Sequence, residues 1–147
     1  GNVHAGFCVA AHRAVVDVEP ELGLVRVVRV DTAQDVGRAL NPLSVLGQIE
    51  GGIMQGVGLA IMEELLVDQG VVRNASFTDY LIPTILDAPD VEAVIIEEPE
   101  PGGPFGAKGF AELPAISSTA AVVAAIRAAT GRALNRVPVH PQDIAGV

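Results

Sequence analysis

Glu112 closes a loop, GGPFGAKGFAELP, whose glycines keep side chains out of the way and leave backbone N–H groups free to face a ligand. The residue stands just before a helix that the sequence opens at Pro114, where the helix dipole favours a carboxylate in its ionised form. Burial beside a ligand acts in the opposite sense, because desolvation disfavours charge. A carboxylate held between those influences suits proton abstraction, the work of a general base. A surface glutamate serving only as a helix-terminal charge explains the same residues, and Lys108 then reads as its ion-pair partner.

A second candidate is the segment GQIEGGIMQGVG. Gly47, Gly51, Gly52, Gly56 and Gly58 fall in what reads as a helix, and each glycine there costs about 1 kcal/mol relative to alanine. Gly52, Gly56 and Ala60 make a smooth stripe, which admits either a second helix at close range or a flat ligand. Gln48 and Gln55 share a face and place two amides beside that stripe. The phosphate-binding pattern GxxxxGK[ST] is absent. A third segment, DVGRALNP, offers Asp35, Arg38 and Asn41, either as a polar corner tied by side-chain hydrogen bonds or as an irregular loop. Other chemistry lacks support. His4, His12 and His140 have no metal-ligand spacing to one another or to Cys8, no G-x-S-x-G elbow is present, and Glu63–Glu64 and Glu97–Glu98 read as solvated charges.

The elements that must position these residues alternate in kind. Residues 9–18 and 24–31 read as two strands around EPELG, with Ala14, Val16 and Val18 on one face and Val25 and Val27 on the other strand. Residues 45–66 change period, since Ile49, Ile53, Val57, Ile61 and Leu65 recur every four positions and predict a helix. A hairpin about Asp68–Gly70, an extended FTDYLIP and a strand at 91–98 follow. An Ala-rich helix from Pro114 to Thr130 closes at Gly131. The reading is one α+β domain over residues 1–147, with strand hairpins, a glycine-rich helix and the Ala-rich helix.

Composition narrows the partners. A formal charge of −9 disfavours nucleic acid, which is held by clustered Lys and Arg, and equally an anionic membrane surface. No apolar run approaches the ~20 residues that span a bilayer. A single cysteine excludes an internal disulfide and any thiolate cluster built from this chain, and points to a reducing, cytoplasmic setting. The first residue is not Met, which suggests a fragment or processed chain.

Taken in order, VVDVEPELGLVRVVRV, DVGRALNP, GQIEGGIMQGVGLAIMEE, FTDYLIP and GPFGAKGFAELP with its Ala-rich helix resemble the xanthine dehydrogenase / aldehyde oxidase family, in the C-terminal lobe of its molybdopterin-binding subunit. Each piece alone is weak, but five in order are specific. The resemblance covers nearly the whole chain. It implies hydroxylation of an electrophilic carbon (an aldehyde, an N-heterocycle or a purine) with oxygen taken from water at a molybdenum held by a pterin dithiolene. It implies iron–sulfur clusters and commonly FAD on partner domains or subunits, to carry the electrons away. The family's base lies in a K-G-x-G-E-P-like segment, which here runs Lys108-Gly109-Phe110-Ala111-Glu112-Leu113-Pro114, so the resemblance assigns that role to Glu112. It places Gln48, and secondarily Gln55, against the pterin, and turns Gly109, Phe110 and Ala111 toward the cofactor.

Two positions depart from the family pattern: Ala111 replaces a glycine and Leu113 a proline. A methyl at residue 111 is expected to crowd the metal side or to exclude a positive φ there. The family subunit is also several times longer than this chain. The expectation is therefore a catalytic lobe inactive in isolation and completed by the remainder of the molybdenum subunit. The alternative is a noncatalytic structural or interaction remnant, although a remnant has no need of costly helix glycines.

Overall fold

The computed structural model describes residues 6–146. His4 lies outside the described residues. β1 (Ala10–Glu19) and β2 (Leu24–Asp35) form the expected hairpin, paired antiparallel from Ala10↔Gln34 to Glu19↔Leu24 with a bulge at Val15/Val16. Alternation works as the sequence implies. Ala14, Val16, Val18 and Val25 pack against a buried set that includes Val27 and Val30. After α1 (Pro42–Ile61) and a two-residue ladder of β3 (Val67–Asp68) on β4 (Val71–Val72), the chain returns as β5 (Asp90–Ile96). β5 lies parallel to β2, so the three-stranded sheet has the order β1-β2-β5. A parallel return needs a long crossover, and α1 with the small ladder supplies it. α2 (Leu113–Thr130) and the short α3 (Pro141–Ala145) complete the α+β fold.

α1 starts earlier and ends earlier than its apolar stripe suggests. Asn41 caps it, its side chain accepting from the Ser44 N–H at 3.1 Å, and Pro42 fits the first turn. The N–H groups of Met62 and Glu63 both return to Gly58 O, at 2.8 and 2.7 Å, and the helix stops there. Ile49, Ile53 and Val57 are fully buried, but Leu65 lies beyond the helix and is 60% exposed. The segment expected to be extended, FTDYLIP, instead begins with a turn. The N–H groups of Asp79 and Tyr80 donate to Ser76 O, and the Tyr80 hydroxyl donates to Glu63 at 2.9 Å.

The glycine stripe is resolved in favour of a helix partner. A Cβ on Gly52 would stand 2.7 Å from Pro114 Cβ, and one on Gly56 would stand 1.9 Å from Ser118 Oγ and 3.2 Å from Ala115 O. The two backbones therefore approach too closely for a side chain between them, and Thr119 Oγ1 donates across the seam to Gly56 O at 3.0 Å. Because Gly52 meets Pro114 and Gly56 meets Ser118, the helices run in the same direction with both N-termini at one end. α2 is, among the described residues, the one helix apolar enough by length and composition to match a membrane crossing, with a mean hydropathy of 1.4. Here its Pro114, Ser118, Val122 and Ile126 are buried.

The helix seam gives a direct test. Gly56→Ala is expected to cost about 1–3 kcal/mol by overpacking against α2. Gly47→Ala, where an added Cβ meets nothing within 4 Å, is expected to gain up to about 1 kcal/mol from helix propensity. Urea denaturation of both variants checks the opposite signs.

Candidate functional site

The loop that carries Glu112 is fastened at its base to the end of β2. Lys108 N–H donates to Val36 O at 3.1 Å, Arg38 N–H donates to Gly106 O at 2.8 Å, and Gly37 bridges Ala107. Gly37 has φ +64, and a Cβ there would lie 2.5 Å from Gly106 O and 2.7 Å from Lys108 N, so only glycine allows the two loops to meet. Beside these backbone bonds Lys108 Nζ pairs with Asp35 Oδ2 at 2.5 Å, with side chains only 8% and 12% exposed. The segment DVGRALNP is thus a polar corner: Asp35 also accepts from Gly37 N–H at 2.9 Å, and Asn41 caps α1. Lys108 is accordingly committed to Asp35 and not to Glu112, which corrects the ion pair expected from spacing. Proximity in sequence suggested one partner; the tertiary corner supplies another.

Beyond Lys108 the loop opens onto a cleft of 660 Å³ lined by Gly6, Cys8, Lys108, Gly109, Phe110, Ala111, Glu112, Leu113 and Ile116. Four of the six predicted site residues meet there. Among the described residues no group accepts from the N–H of Gly109, Phe110, Ala111 or Glu112, so four successive donors border one cleft. Gly109 bears no side chain, and a Cβ there would meet nothing within 4 Å. Cys8 Sγ donates to Gly109 O at 3.2 Å and closes the back of the loop. Glu112 is the N-terminal flanking residue of α2 and makes no capping hydrogen bond. It is exposed, and no ion pair to it exists among the described residues. Ala111 is not among the residues with positive φ, so its methyl imposes none of the backbone strain expected of a glycine replacement.

Gln48 and Gln55 do not line this cleft. Both are exposed on α1, outside the buried stripe. Gln48 precedes Gly52 by one turn, and Gly52 already touches the first turn of α2 at Pro114. Gln48 therefore stands on a part of α1 that projects past the start of α2, at the end of the molecule where Glu112 lies. Gln55 sits two turns further along, beside the helix seam. Cys8, Leu113 and Ile116 are cleft residues that the sequence reading missed, since nothing in their spacing separates them from ordinary apolar positions.

The remaining polar candidates have structural partners. Glu63 accepts from Tyr80, Glu97 accepts from Ala39 N–H at 2.7 Å, and His140 lies 3.1 Å from Glu64, so these glutamates are more than solvated charges. His12 packs against Ser117, its Nδ1 2.8 Å from Oγ, and burial holds its pKa below the ordinary value. Among the described residues no group of three or more His, Cys, Asp or Glu is placed to hold a metal ion. The unengaged N–H row and the bare backbone at Gly109 form a donor set that fits a flat ligand rich in acceptor atoms, with Gln48 exposed on α1 outside the cleft. They make a wall rather than an enclosing pocket.

Comparison with known proteins places this fold in a family. The family model for a molybdopterin cofactor-binding domain matches residues 1–89. A putative xanthine dehydrogenase molybdenum-binding subunit of Escherichia coli (strain K12) is 39% identical over 133 residues, covering 88% of this chain and 18% of that protein. The aldehyde oxidoreductase of Megalodesulfovibrio gigas is 36% identical, covering 98% of this chain and 16% of its own length. The crystal structure of the aldehyde oxidoreductase from Desulfovibrio desulfuricans superposes with a TM-score of 0.89 at 34% identity, over 97% of this chain and 16% of that one. The chain belongs to the molybdopterin cofactor-binding domain family, within the xanthine dehydrogenase / aldehyde oxidoreductase group of molybdenum-dependent oxidoreductases. It spans less than a fifth of the length of these relatives.

The corner carries a pH signature. Burial pushes the Asp35 carboxyl upward, but the Lys108 ammonium and the Gly37 N–H outweigh it and hold the pKa below the ordinary 3.8. A carboxyl depressed in the folded state stabilises above its unfolded pKa, and that contribution is lost as pH falls through the folded value. Stability is thus expected to decline below about pH 4, and Asp35→Asn to flatten that decline. Denaturation midpoints measured between neutral and acid pH check this.

Proposed function

We propose that this chain is the C-terminal lobe of the molybdopterin-binding subunit of a molybdenum hydroxylase, with Glu112 as its general base. When bound, the cofactor supplies a metal centre able to activate a water-derived oxygen and to accept two electrons from an electrophilic carbon. What this chain contributes is a wall. The N–H groups of Gly109, Phe110 and Ala111 would donate to the cofactor, and the Gln48 amide, with Gln55 further along the same helix, would hold it from α1. The Glu112 carboxylate, on the same cleft, would accept a proton from the water-derived nucleophile. Once protonated it gains a donor, which suits it to hold the product oxygen by a hydrogen bond.

The observation that carries this reading is the free carboxylate. A glutamate retained for stability at a helix start would accept the first helix N–H groups or pair with the neighbouring lysine. Glu112 does neither: it makes no capping bond, and Lys108 is engaged by Asp35. The four donors without acceptors on the same cleft favour a bound ligand over a bare surface. These features argue against the noncatalytic remnant, which would have no reason to keep a charged group and an unpaired N–H row together.

Because the chain provides only one wall, the remainder of the molybdenum subunit completes the site, and subunits or domains bearing iron–sulfur clusters and FAD take the electrons onward. Several relatives carry names of subunits, such as the 6-hydroxypseudooxynicotine dehydrogenase complex subunit gamma of Paenarthrobacter nicotinovorans. The proposed substrate is a small aldehyde, purine or N-heterocycle, and the proposed location is the cytoplasm. The acidic chain has no part in binding nucleic acid or a membrane.

The test is Glu112→Gln in the assembled enzyme. Molybdenum content is expected to stay unchanged while kcat falls about 10²- to 10⁴-fold, the usual contribution of a positioned base. Retained turnover in that variant contradicts the assignment. The isolated chain is expected to show no turnover, and steady-state assays of the two preparations side by side check both statements.

A further inference from the structure

Lys108 and Asp35 form a nearly buried ion pair that the proposed reaction does not use. Such a pair is a weak source of net stability, because desolvating two charges offsets most of their attraction. Its location suggests another purpose. Lys108 is the last residue before the donor row, immediately ahead of Gly109, and four residues ahead of Glu112. Asp35 is the last residue of β2, the central strand of the sheet. Asp35 is itself fixed by the Gly37 N–H at 2.9 Å, and the backbones on either side interlock through Lys108 N–H to Val36 O and Arg38 N–H to Gly106 O. Among the described residues, the loop between Lys108 and Phe110 has no other backbone hydrogen bond to the body of the fold, and the Cys8 thiol is the one side chain that reaches it, at Gly109 O.

We propose that Asp35 and Lys108 are positioning residues: their ion pair ties the loop of Gly109 to Glu112 to the end of the central strand and so sets where the carboxylate and the N–H row meet a ligand. This rests on Glu112 being the base. Neither residue is catalytic, since Lys108 spends its charge on Asp35 and reaches the reaction only through the loop. The arrangement explains why a lysine is buried beside a cleft that works with a carboxylate. Left unpaired, its ammonium would be a nearly buried charge without a partner, whereas paired with Asp35 it anchors the chain.

The experiment compares Lys108→Met and Asp35→Asn with the parent, both in the assembled enzyme and in this chain. In the assembled enzyme kcat is expected to fall roughly 10- to 100-fold, as misplacement of a catalytic group does, with molybdenum content and KM unchanged. In the chain, alkylation of Cys8 reads the loop directly. Burial and then the Asp35 carboxylate push the Cys8 thiol up, and Lys108 only partly opposes them, so loss of Lys108 alone would slow alkylation, and an increase of about tenfold in Lys108→Met means a released loop. Lys108→Arg, which keeps the charge, is expected to recover part of both. If Lys108→Met fails to assemble, Asp35→Asn supplies the kcat and KM comparison, with amide exchange at Arg38 and Lys108 as its loop readout. Unchanged kcat together with unaltered or slower alkylation overturns the proposal, as does a loss of molybdenum that accounts for all lost turnover. If Glu112→Gln keeps full activity, the base assignment fails instead, and the alkylation rates still decide whether the pair holds the loop.

Discussion

Two helix backbones touch at Gly52 and Gly56, and the distances there leave no room for a methyl group between α1 and α2. That contact decides where α2 begins in space, because Pro114 rests on Gly52 at the first turn of the helix. Glu112 lies two residues upstream of that point and the donor row two to five, so any change in the seam moves them. The same register leaves the first turns of α1, with Gln48, extending past the start of α2. Small residues in a helix lower its intrinsic stability. Here they are compensated by a close approach that places two chemically useful helix ends side by side.

The opposite side of the loop is fixed by different physics. At the end of β2, Gly37 in a left-handed conformation admits the backbone of residues 106–108 at hydrogen-bonding distance. Asp35 and Lys108 add a charged tie that water scarcely reaches. The cleft is thus suspended between a steric seam and a polar corner, and neither alone would determine its shape. Between them, among the described residues, the N–H groups of Gly109 to Glu112 stay unengaged.

Much of this was legible in the residues. Period-two alternation of Ala14, Val16 and Val18 gave the hairpin, the four-residue spacing of Ile49, Ile53 and Val57 gave α1, and Pro114 with Gly131 bracketed α2 closely. The ordered segments pointed to the family that the comparisons support. What failed was tertiary. The stripe of Gly52 and Gly56 reads alike for a helix and for a flat ligand, and only the partner's position separates the two. Lys108 sits one helical turn from Glu112 in sequence, which favoured the wrong ion pair; its true partner is 73 residues away. Leu65 matched the period of α1, but the Gly58 carbonyl captures two N–H groups and ends the helix first. Cys8 entered the cleft unannounced, because a lone cysteine carries no spacing to interpret.

The account places a cofactor against a wall that this chain only partly provides, and the position of the metal tests that most directly. Crystals of the assembled subunit, with data collected across the molybdenum absorption edge, would locate the metal by its anomalous scattering. The account predicts a molybdenum peak in the cleft bordered by Gly109 to Glu112, with the Glu112 carboxylate turned toward it and Gln48 on the cofactor's flank. A peak elsewhere in the subunit, with Glu112 packed against protein or facing bulk solvent, would contradict it.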